Sequence, residues 1–516
     1  MLEPTRATTE TEGAEATRSE RAATGVPGLD EILGGGLPAN RTYLVQGEPG
    51  AGKTTLGMQF LIEGVSRGER GVYVALSESE AEIRDIARSH GWDLEGIAIV
   101  ELHATQEHLE ADAQYTFFHP SEIELSDTAR AILDEVERVE PKRIVFDSLS
   151  EMRLLARDSL RYRRQLLSLK KYFTEIGCTV LLLDVHTSHR DTPRDEFQLE
   201  TLAHGFLQLE QHAPEYGVQR RRLKVGKLRG LSYQEGYHDF RIVRGGLEVY
   251  PRLVAADHGA RKTREPLSSG LESLDRLTGG GLDRGATTMF LGPAGVGKST
   301  LAARFLLMAL EAGERGSVFL FDEGARNWRR RTRGLGLDFD RHLESGALAL
   351  RQVEPAALSP GEFADTVRRA VDEEGVSVVL IDSMNGYRYA MPEEDFLTLH
   401  LHELFAFLNH QGVVTLVVVA QHGFLGDAVE EPLHISYLAD SVILLRYFEA
   451  FGQIRKAVST IKKRLGGHER AIRELVLEPG RVEVGEELRD FFGIIAGELE
   501  YRGERAPLLD RRTEGE

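Results

Sequence analysis

Apolar residues fall along this chain in two alternating rhythms. Short, nearly continuous runs are separated by longer stretches in which apolar positions recur with helical spacing. The runs "YLVQG" (43–47), "GVYVAL" (71–76), "RIVFDS" (143–148) and "TVLLLD" (179–184) leave no polar face. Strands of this kind are buried on both sides, as in a parallel sheet. The interleaved helical patterns then predict helices on both faces, an α/β architecture. The rhythm returns in the second half, with "VFLFDEGARNW" (318–328), "SVVLIDSMN" (377–385) and "GVVTLVVVA" (412–420). The last of these is too short to cross a bilayer.

The return is a repeat of sequence as well as of rhythm. "TGVPGLDEILGGGLPANRTYLVQGEPGAGKTTL" (24–56) matches "SSGLESLDRLTGGGLDRGATTMFLGPAGVGKSTL" (268–301). Gly25 pairs with Gly270, Asp30 with Asp275, Gly34–Gly36 with Gly279–Gly281 and Lys53 with Lys298, always 245 positions apart. Further on, Asp147 pairs with Asp382, Lys227 with Lys462 and Arg229 with Arg464, now 235 apart. The surplus in the first copy is expected in a surface insertion at 111–125. A repeat of this length is a duplicated domain. The expected layout is a disordered polar tail (1–22), a first domain (23–252), a linker (253–266), a second domain (267–485) and a C-terminal tail (486–516). The first half of that last tail is apolar enough to dock.

Composition narrows the function without choosing it. With 516 residues the chain exceeds what a single core holds. Hydrophobic content of 41% and charged content of 28% are those of a water-soluble globular protein. The net charge of −19 argues against a general nucleic-acid binder, which needs a basic face. The one cysteine, Cys178, excludes an internal disulfide and reads as a buried strand residue. The N-terminus has no signal-peptide core, so the expected location is the cytoplasm, with no membrane attachment.

The chemistry lies in the duplicated glycine-rich stretches, which fit G-x-x-x-x-G-K-[ST] between a strand and an expected amphipathic helix. In the first copy these positions are Gly47, Gly50, Ala51, Gly52, Lys53, Thr54 and Thr55. In the second they are Gly292, Gly295, Val296, Gly297, Lys298, Ser299 and Thr300. Such a loop turns successive backbone N–H groups toward phosphate oxygens, and the following helix adds its dipole. Lys53 and Lys298 are expected at the β- and γ-phosphates, and Thr54 and Ser299 at Mg²⁺. Asp147 and Asp382, each closing an apolar run, are the expected second partners of that metal. Hydrolysis also requires a base that orients water. Glu78 is the candidate in the first copy, and Asp322 with Glu323 in the second. The plain alternative is that these are solvated acids at a strand end. The basic stretches 219–230 and 454–464 recur with Lys227/Arg229 and Lys462/Arg464. They read as cations that reach a neighbouring subunit's nucleotide in a ring, or else as a solvated strand or nucleic-acid patch. His186 and His422 lack metal-ligand spacing.

As a set, these residues resemble the KaiC family of tandem-domain ATPases. The set comprises the duplicated block, "GLDEILGGGLP" before the first P-loop, "FHPSEIEL", "KLRG" followed by "GYHDFRI", and "HISYLADSVILLRYFE" (434–449). The resemblance implies two tandem RecA-like P-loop NTPase domains, bound ATP and Mg²⁺, and a homohexamer with nucleotide between subunits. It implies ATP hydrolysis and serine/threonine autophosphorylation in the second domain, with Ser436 as acceptor. Tyr437 stands where the family has a threonine, and whether Glu200 or Thr201 is the first-copy counterpart of Ser436 is open at this point. The family carries two adjacent glutamates per copy; here they are Ser77-Glu78 and Asp322-Glu323. KaiA- or KaiB-like proteins, or a sensor kinase and its response regulator, are partners by the same analogy. Two other readings stand beside this one: a DNA-dependent ATPase of RecA or RadA type, and a nucleotide-gated scaffold without kinase activity.

Overall fold

The computed structural model describes residues 20–101, 130, 132–156, 159–185, 199–213, 217–255, 265–389, 396–421, 437–495 and 500–503. The chain divides into two compact units, one ending at Arg252 and the other opening at Leu253.

The first unit is built on a sheet whose strands, in chain order, are β1 (Thr42–Gly47), β2 (Gly71–Ala75), β3 (Ile97–Glu101), β4 (Arg143–Asp147), β5 (Thr179–Val185), β6 (Gly205–His212), β7 (Arg220–Leu228), β8 (His238–Val243) and β9 (Gly246–Tyr250). Their spatial order is β3-β2-β4-β5-β1-β6-β7-β8-β9. From β3 to β6 all neighbours are parallel. From β6 to β9 they are antiparallel. The second unit has β10 (Ala286–Gly292), β11 (Gly316–Leu320), β12 (Leu348–Gln352), β13 (Val378–Asp382), β14 (Val414–Ala420), β15 (Ser441–Ala450), β16 (Gln453–Lys463), β17 (Arg473–Glu478) and β18 (Arg481–Glu487). Its order, β12-β11-β13-β14-β10-β15-β16-β17-β18, is the same topology strand for strand. This is the expected α/β class: two mostly parallel sheets, each the core of a RecA-like domain.

Alternation along the strands explains why their apolar runs have no polar face. In β1, Tyr43 and Val45 join one core while Leu44 joins the core on the other side. In β2, Tyr73 and Ala75 face the first core, Val72 and Val74 the second. The second sheet repeats this, with Met289 and Leu291 on one side and Phe290 on the other. Every position of β1 and β10 is buried, as a central parallel strand requires.

The helix after each P-loop was expected to be amphipathic, but it is buried almost all round. Nine of the 14 residues of Lys53–Ser66 are buried, and ten of 14 in Lys298–Glu311. Each lies against several strands of its sheet and is covered on its far side, so it keeps little polar surface. The polar tail also ends earlier than expected. Arg21–Ala22 pairs with Leu37–Pro38, and the Arg21 guanidinium donates to the carbonyls of Leu33 and Gly36. The repeated aspartate before each P-loop anchors a turn: Asp30 accepts the Thr24 N–H at 2.8 Å, and Asp275 the Ser269 N–H at 2.7 Å. Cys178 is buried one position before β5; its thiol donates to the Pro141 carbonyl, and burial pushes its pKa up to about 11. At the C-terminal end, Phe491–Phe492 pairs with Glu500–Tyr501, and Phe491 stacks against Phe448. The expected insertion at 111–125, the histidines His186 and His422, and Ser436 lie outside the described residues.

Candidate nucleotide sites

Both P-loops sit at the C-terminal ends of parallel strands, where open α/β sheets receive ligands. Gly52 and Gly297 cap the following helices with left-handed backbone, at φ 100° and 117°. That φ strains any other residue there, and a Cβ would also crowd the side chains of Ile242 at Gly52 and Leu477 at Gly297. Ala51 and Val296 are fully buried under their loops. The Lys53 ammonium lies inside its loop, donating to the carbonyls of Gly47 and Glu48 at 2.9 Å each. Lys298 donates to the Pro293 carbonyl at 2.7 Å. Burial lowers the pKa of both lysines, that of Lys298 to about 8, against the opposing pull of nearby carboxylates.

Directly beneath each lysine the structure brings together the residues read as metal partners. Thr54 Oγ1 donates to Asp147 Oδ2 at 2.6 Å, and Ser299 Oγ to Asp382 Oδ1 at 3.0 Å. A hydroxyl and a carboxylate, both hard oxygen donors, suit Mg²⁺, which keeps most of its waters and takes few protein ligands. Burial raises the Asp382 pKa. Among the described residues, no group of three or more His, Cys, Asp or Glu side chains is placed to hold a metal by itself.

The acids differ between the copies. In the first, Glu78 lies just past the end of β2. Its Oε2 is buried and has no hydrogen-bond partner. Burial raises its pKa, helped by the charges of Asp147 and Glu82. Ser77 beside it is exposed. In the second copy, the Ser383 hydroxyl donates to Asp322. Glu323 is paired with Arg331, Oε2 to Nη2 at 2.7 Å, and Arg331 stands 3.9 Å from Asp382.

Three site residues escaped the sequence reading. Tyr73, in the middle of β2, donates to Asp147 Oδ2 at 2.6 Å; burial raises its pKa well above the usual value. Asp184 is buried in β5 and acts on Lys53 through its charge. Arg331 sits on helix Ala325–Gly334, among several other arginines. Their counterparts in the other copy are Val318, Val419 and Ile86. The only available signal was this mismatch at otherwise corresponding positions of the repeat.

The basic arms lie at the other end of the parallel strands. Lys227 pairs in register with Phe206 near the start of β6, and Lys462 with Val442 near the start of β15. Lys227 Nζ donates to the carbonyls of Glu200 and Ala203, Lys462 Nζ to that of Ala439. It is the Lys227/Arg229 and Lys462/Arg464 ends of these strands that lie away from the P-loops; their opening residues, Arg220 and Gln453, pair at the opposite ends of β6 and β15. The same contacts match the strand entries of the two copies. The N–H of Thr42 donates to His204 and that of Thr287 to Asp440. The N–H of Arg229 donates to the His204 carbonyl and that of Arg464 to the Asp440 carbonyl. His204 therefore corresponds to Asp440, and Thr201, whose carbonyl accepts from Arg229, to Tyr437, whose carbonyl accepts from Arg464.

Comparison with known proteins agrees with the duplicated architecture. The family model for the KaiC ATPase matches twice, at residues 22–254 and 267–489. A circadian clock protein KaiC3 from Synechocystis is 28% identical over 497 residues, covering 93% of this chain and 95% of its own length. The circadian clock oscillator protein KaiC of Synechococcus elongatus is 26% identical, covering 92% of this chain and 90% of its own. That of Acaryochloris marina is 26% identical over 479 residues. With both repeats matched over most of the sequence, the chain belongs to the KaiC family of ATPases.

Proposed function

We infer that this protein binds ATP with Mg²⁺ at both P-loops, hydrolyses it, and phosphorylates itself on Ser436, acting as a signalling switch of the clock-protein type. The observation that carries the reading is the hydroxyl–carboxylate pair beneath each P-loop lysine, Thr54 with Asp147 and Ser299 with Asp382. Bound there, Mg²⁺ neutralises phosphate charge as it develops. The chain's own residues do the rest. The loops Gly47–Thr55 and Gly292–Thr300 cradle the phosphates through their N–H groups, and Lys53 and Lys298 supply the cation. In the first copy Glu78 takes the proton of the attacking water, a role suited to a carboxylate whose pKa burial has raised. In the second, Asp322 or Glu323 takes the proton of the attacking hydroxyl, which is that of water or of Ser436.

The basic arms give the reading its assembly. Lys227/Arg229 and Lys462/Arg464 lie at the strand ends away from their own P-loops, so they serve the nucleotide of an adjacent subunit. A homohexameric ring satisfies that geometry, as the family analogy implies. Signalling proteins that read the ring's state, KaiA- or KaiB-like or a sensor kinase with its regulator, are the corresponding partners. Among the described residues no helix is long and apolar enough to cross a membrane, and we place the protein in the cytoplasm.

The test is incubation with Mg²⁺ and γ-labelled ATP, followed by mapping of labelled residues by mass spectrometry, with Ser436→Ala as control. Label on Ser436 that disappears in the control is the expected result. Steady phosphate release with no label on any residue would leave an ATPase switch without kinase activity. Stimulation of release by DNA in a salt-dependent manner would instead favour the recombinase-type reading.

A further inference from the structure

The two candidate sites share a plan but not the state of their acids. Glu78 and Glu323 are counterparts, 245 positions apart, each following the second strand of its unit. Glu78 keeps a buried oxygen with no partner. Glu323 has both oxygens engaged by one guanidinium: Arg331 Nε lies 3.3 Å from each, and Nη2 2.7 Å from Oε2. The position of Arg331 is held in the first copy by Ile86, which can neither pair with nor attract a carboxylate.

The pair is more than one of the many ion pairs on the surface. Helix Ala325–Gly334 carries several other arginines, and two of them, Arg329 and Arg333, turn outward to Asp340. Arg331 turns the other way, into the cleft, where its Nη2 also stands 3.9 Å from Asp382. Its guanidinium thus lies between the candidate base and the carboxylate that holds the P-loop serine. With a third of its side chain exposed, the pair adds little to stability. Its consequence is geometric. A carboxylate whose two oxygens face one guanidinium fork has its best acceptor directions occupied and its charge balanced.

We propose that Arg331 is a positioning residue that withholds Glu323 from water activation, so that the second copy retains ATP for transfer while the first hydrolyses it. This rests on the reading that both copies bind ATP. The step withheld is ordinary hydrolysis. The water oxygen attacks the γ-phosphorus, the bond from that phosphorus to the ADP oxygen breaks, and Glu323 accepts the proton that water loses. With Glu323 held by a guanidinium fork, Asp322, which among the described residues accepts only the Ser383 hydroxyl on one oxygen, is the acid proposed to face a hydroxyl acceptor.

The experiment isolates the second copy with Lys53→Ala and compares Arg331→Ile, the residue of the first copy, with Arg331→Lys. Nucleotide binding is followed with a fluorescent ATP analogue, and phosphate release gives kcat and KM separately. In the isoleucine variant kcat is expected to rise about tenfold, within what a general base contributes, with binding and KM little changed. The lysine variant, still cationic, is expected to stay near the parent rate. Adding Glu323→Gln to Arg331→Ile is expected to erase the gain. An unchanged or lower kcat in Arg331→Ile with binding intact would overturn the proposal, as would a gain that survives Glu323→Gln. Failure of the underlying reading looks different: the Lys53→Ala protein would not bind the analogue at all, and the role of Arg331 would fall with it.

Discussion

Lys298 donates to a carbonyl of its own loop, and burial holds its pKa near 8 although Asp382 pulls the other way. Placing phosphate charge against this ammonium favours the protonated form and raises the pKa again. At pH 8 the free lysine, its pKa near the pH, is about half protonated, whereas in the bound site its raised pKa keeps it almost fully protonated. ATP binding to the second copy is therefore expected to take up roughly half a proton at pH 8 and almost none at pH 6.5. Calorimetric titration of a Lys53→Ala protein in buffers of different ionisation enthalpy reads this number. Uptake that is the same at both pH values would mean the lysine is fully charged before nucleotide arrives. At the same scale, Tyr73 shows how a site can be built from a residue that looks like core. Its ring belongs to the hydrophobic cluster under β2, while its hydroxyl reaches Asp147.

At the scale of elements, the strand pair that carries each basic arm is set by one residue at its entry. His204 and Asp440 do the same structural work, accepting the N–H of Thr42 and of Thr287 at the start of the central strand, at 3.1 and 2.9 Å. They differ in what they do to the arm. Asp440 pairs with Arg464 at 3.3 Å. His204 is kept neutral above about pH 4, chiefly by burial and by the cations around it, and Arg229 has no carboxylate partner among the described residues. The first copy thus carries a less neutralised arm, which under the proposed assembly faces a neighbour's nucleotide. Exchanging the residues preserves the shared backbone bond and alters the charge alone. His204→Asp, made with Lys298→Ala to silence the second copy, is expected to slow hydrolysis about two- to fivefold, the rate equivalent of ~0.5–1 kcal/mol for an exposed ion pair. Phosphate release and a thermal melt check it together. A slower enzyme with an unchanged melt supports the arm's role, and an unchanged rate argues against it.

At the scale of the whole molecule, the proposed division of labour between P-loop and arm predicts a site that one subunit cannot complete alone. Subunits with Lys53→Ala keep an intact first-copy arm, and subunits with Lys227→Ala and Arg229→Ala keep an intact first-copy loop. With Lys298→Ala in both, mixing the two inactive proteins is expected to restore phosphate release well above that of either alone. Release no greater than the average of the two would place the arms in service of their own subunit. The copies have diverged around a common frame. The first keeps a glutamate with one buried, unpartnered oxygen and an arm with fewer carboxylate contacts, and the second has a glutamate clamped by Arg331.

The sequence alone determined the duplication, the α/β class and the placement of both P-loops. Each of these is written in local pattern: a short apolar run rich in β-branched residues and bounded by turns fits a strand covered on two faces, and a glycine-rich turn between strand and helix fits a phosphate-binding loop. Asp147 and Asp382 were legible because they close such runs. Tyr73, Asp184 and Arg331 were not, since a tyrosine inside a strand, an aspartate inside another and one arginine among many on a helix carry no local sign of their partners. The match of His204 with Asp440 was equally hidden, because the repeat slips by one residue on the way to β6 and β15, and only hydrogen-bond register fixes it. Tertiary structure decided these points for one physical reason. What an ionisable side chain does depends on which charges and oxygens lie within a few ångströms, and those come from strands and helices distant in the chain.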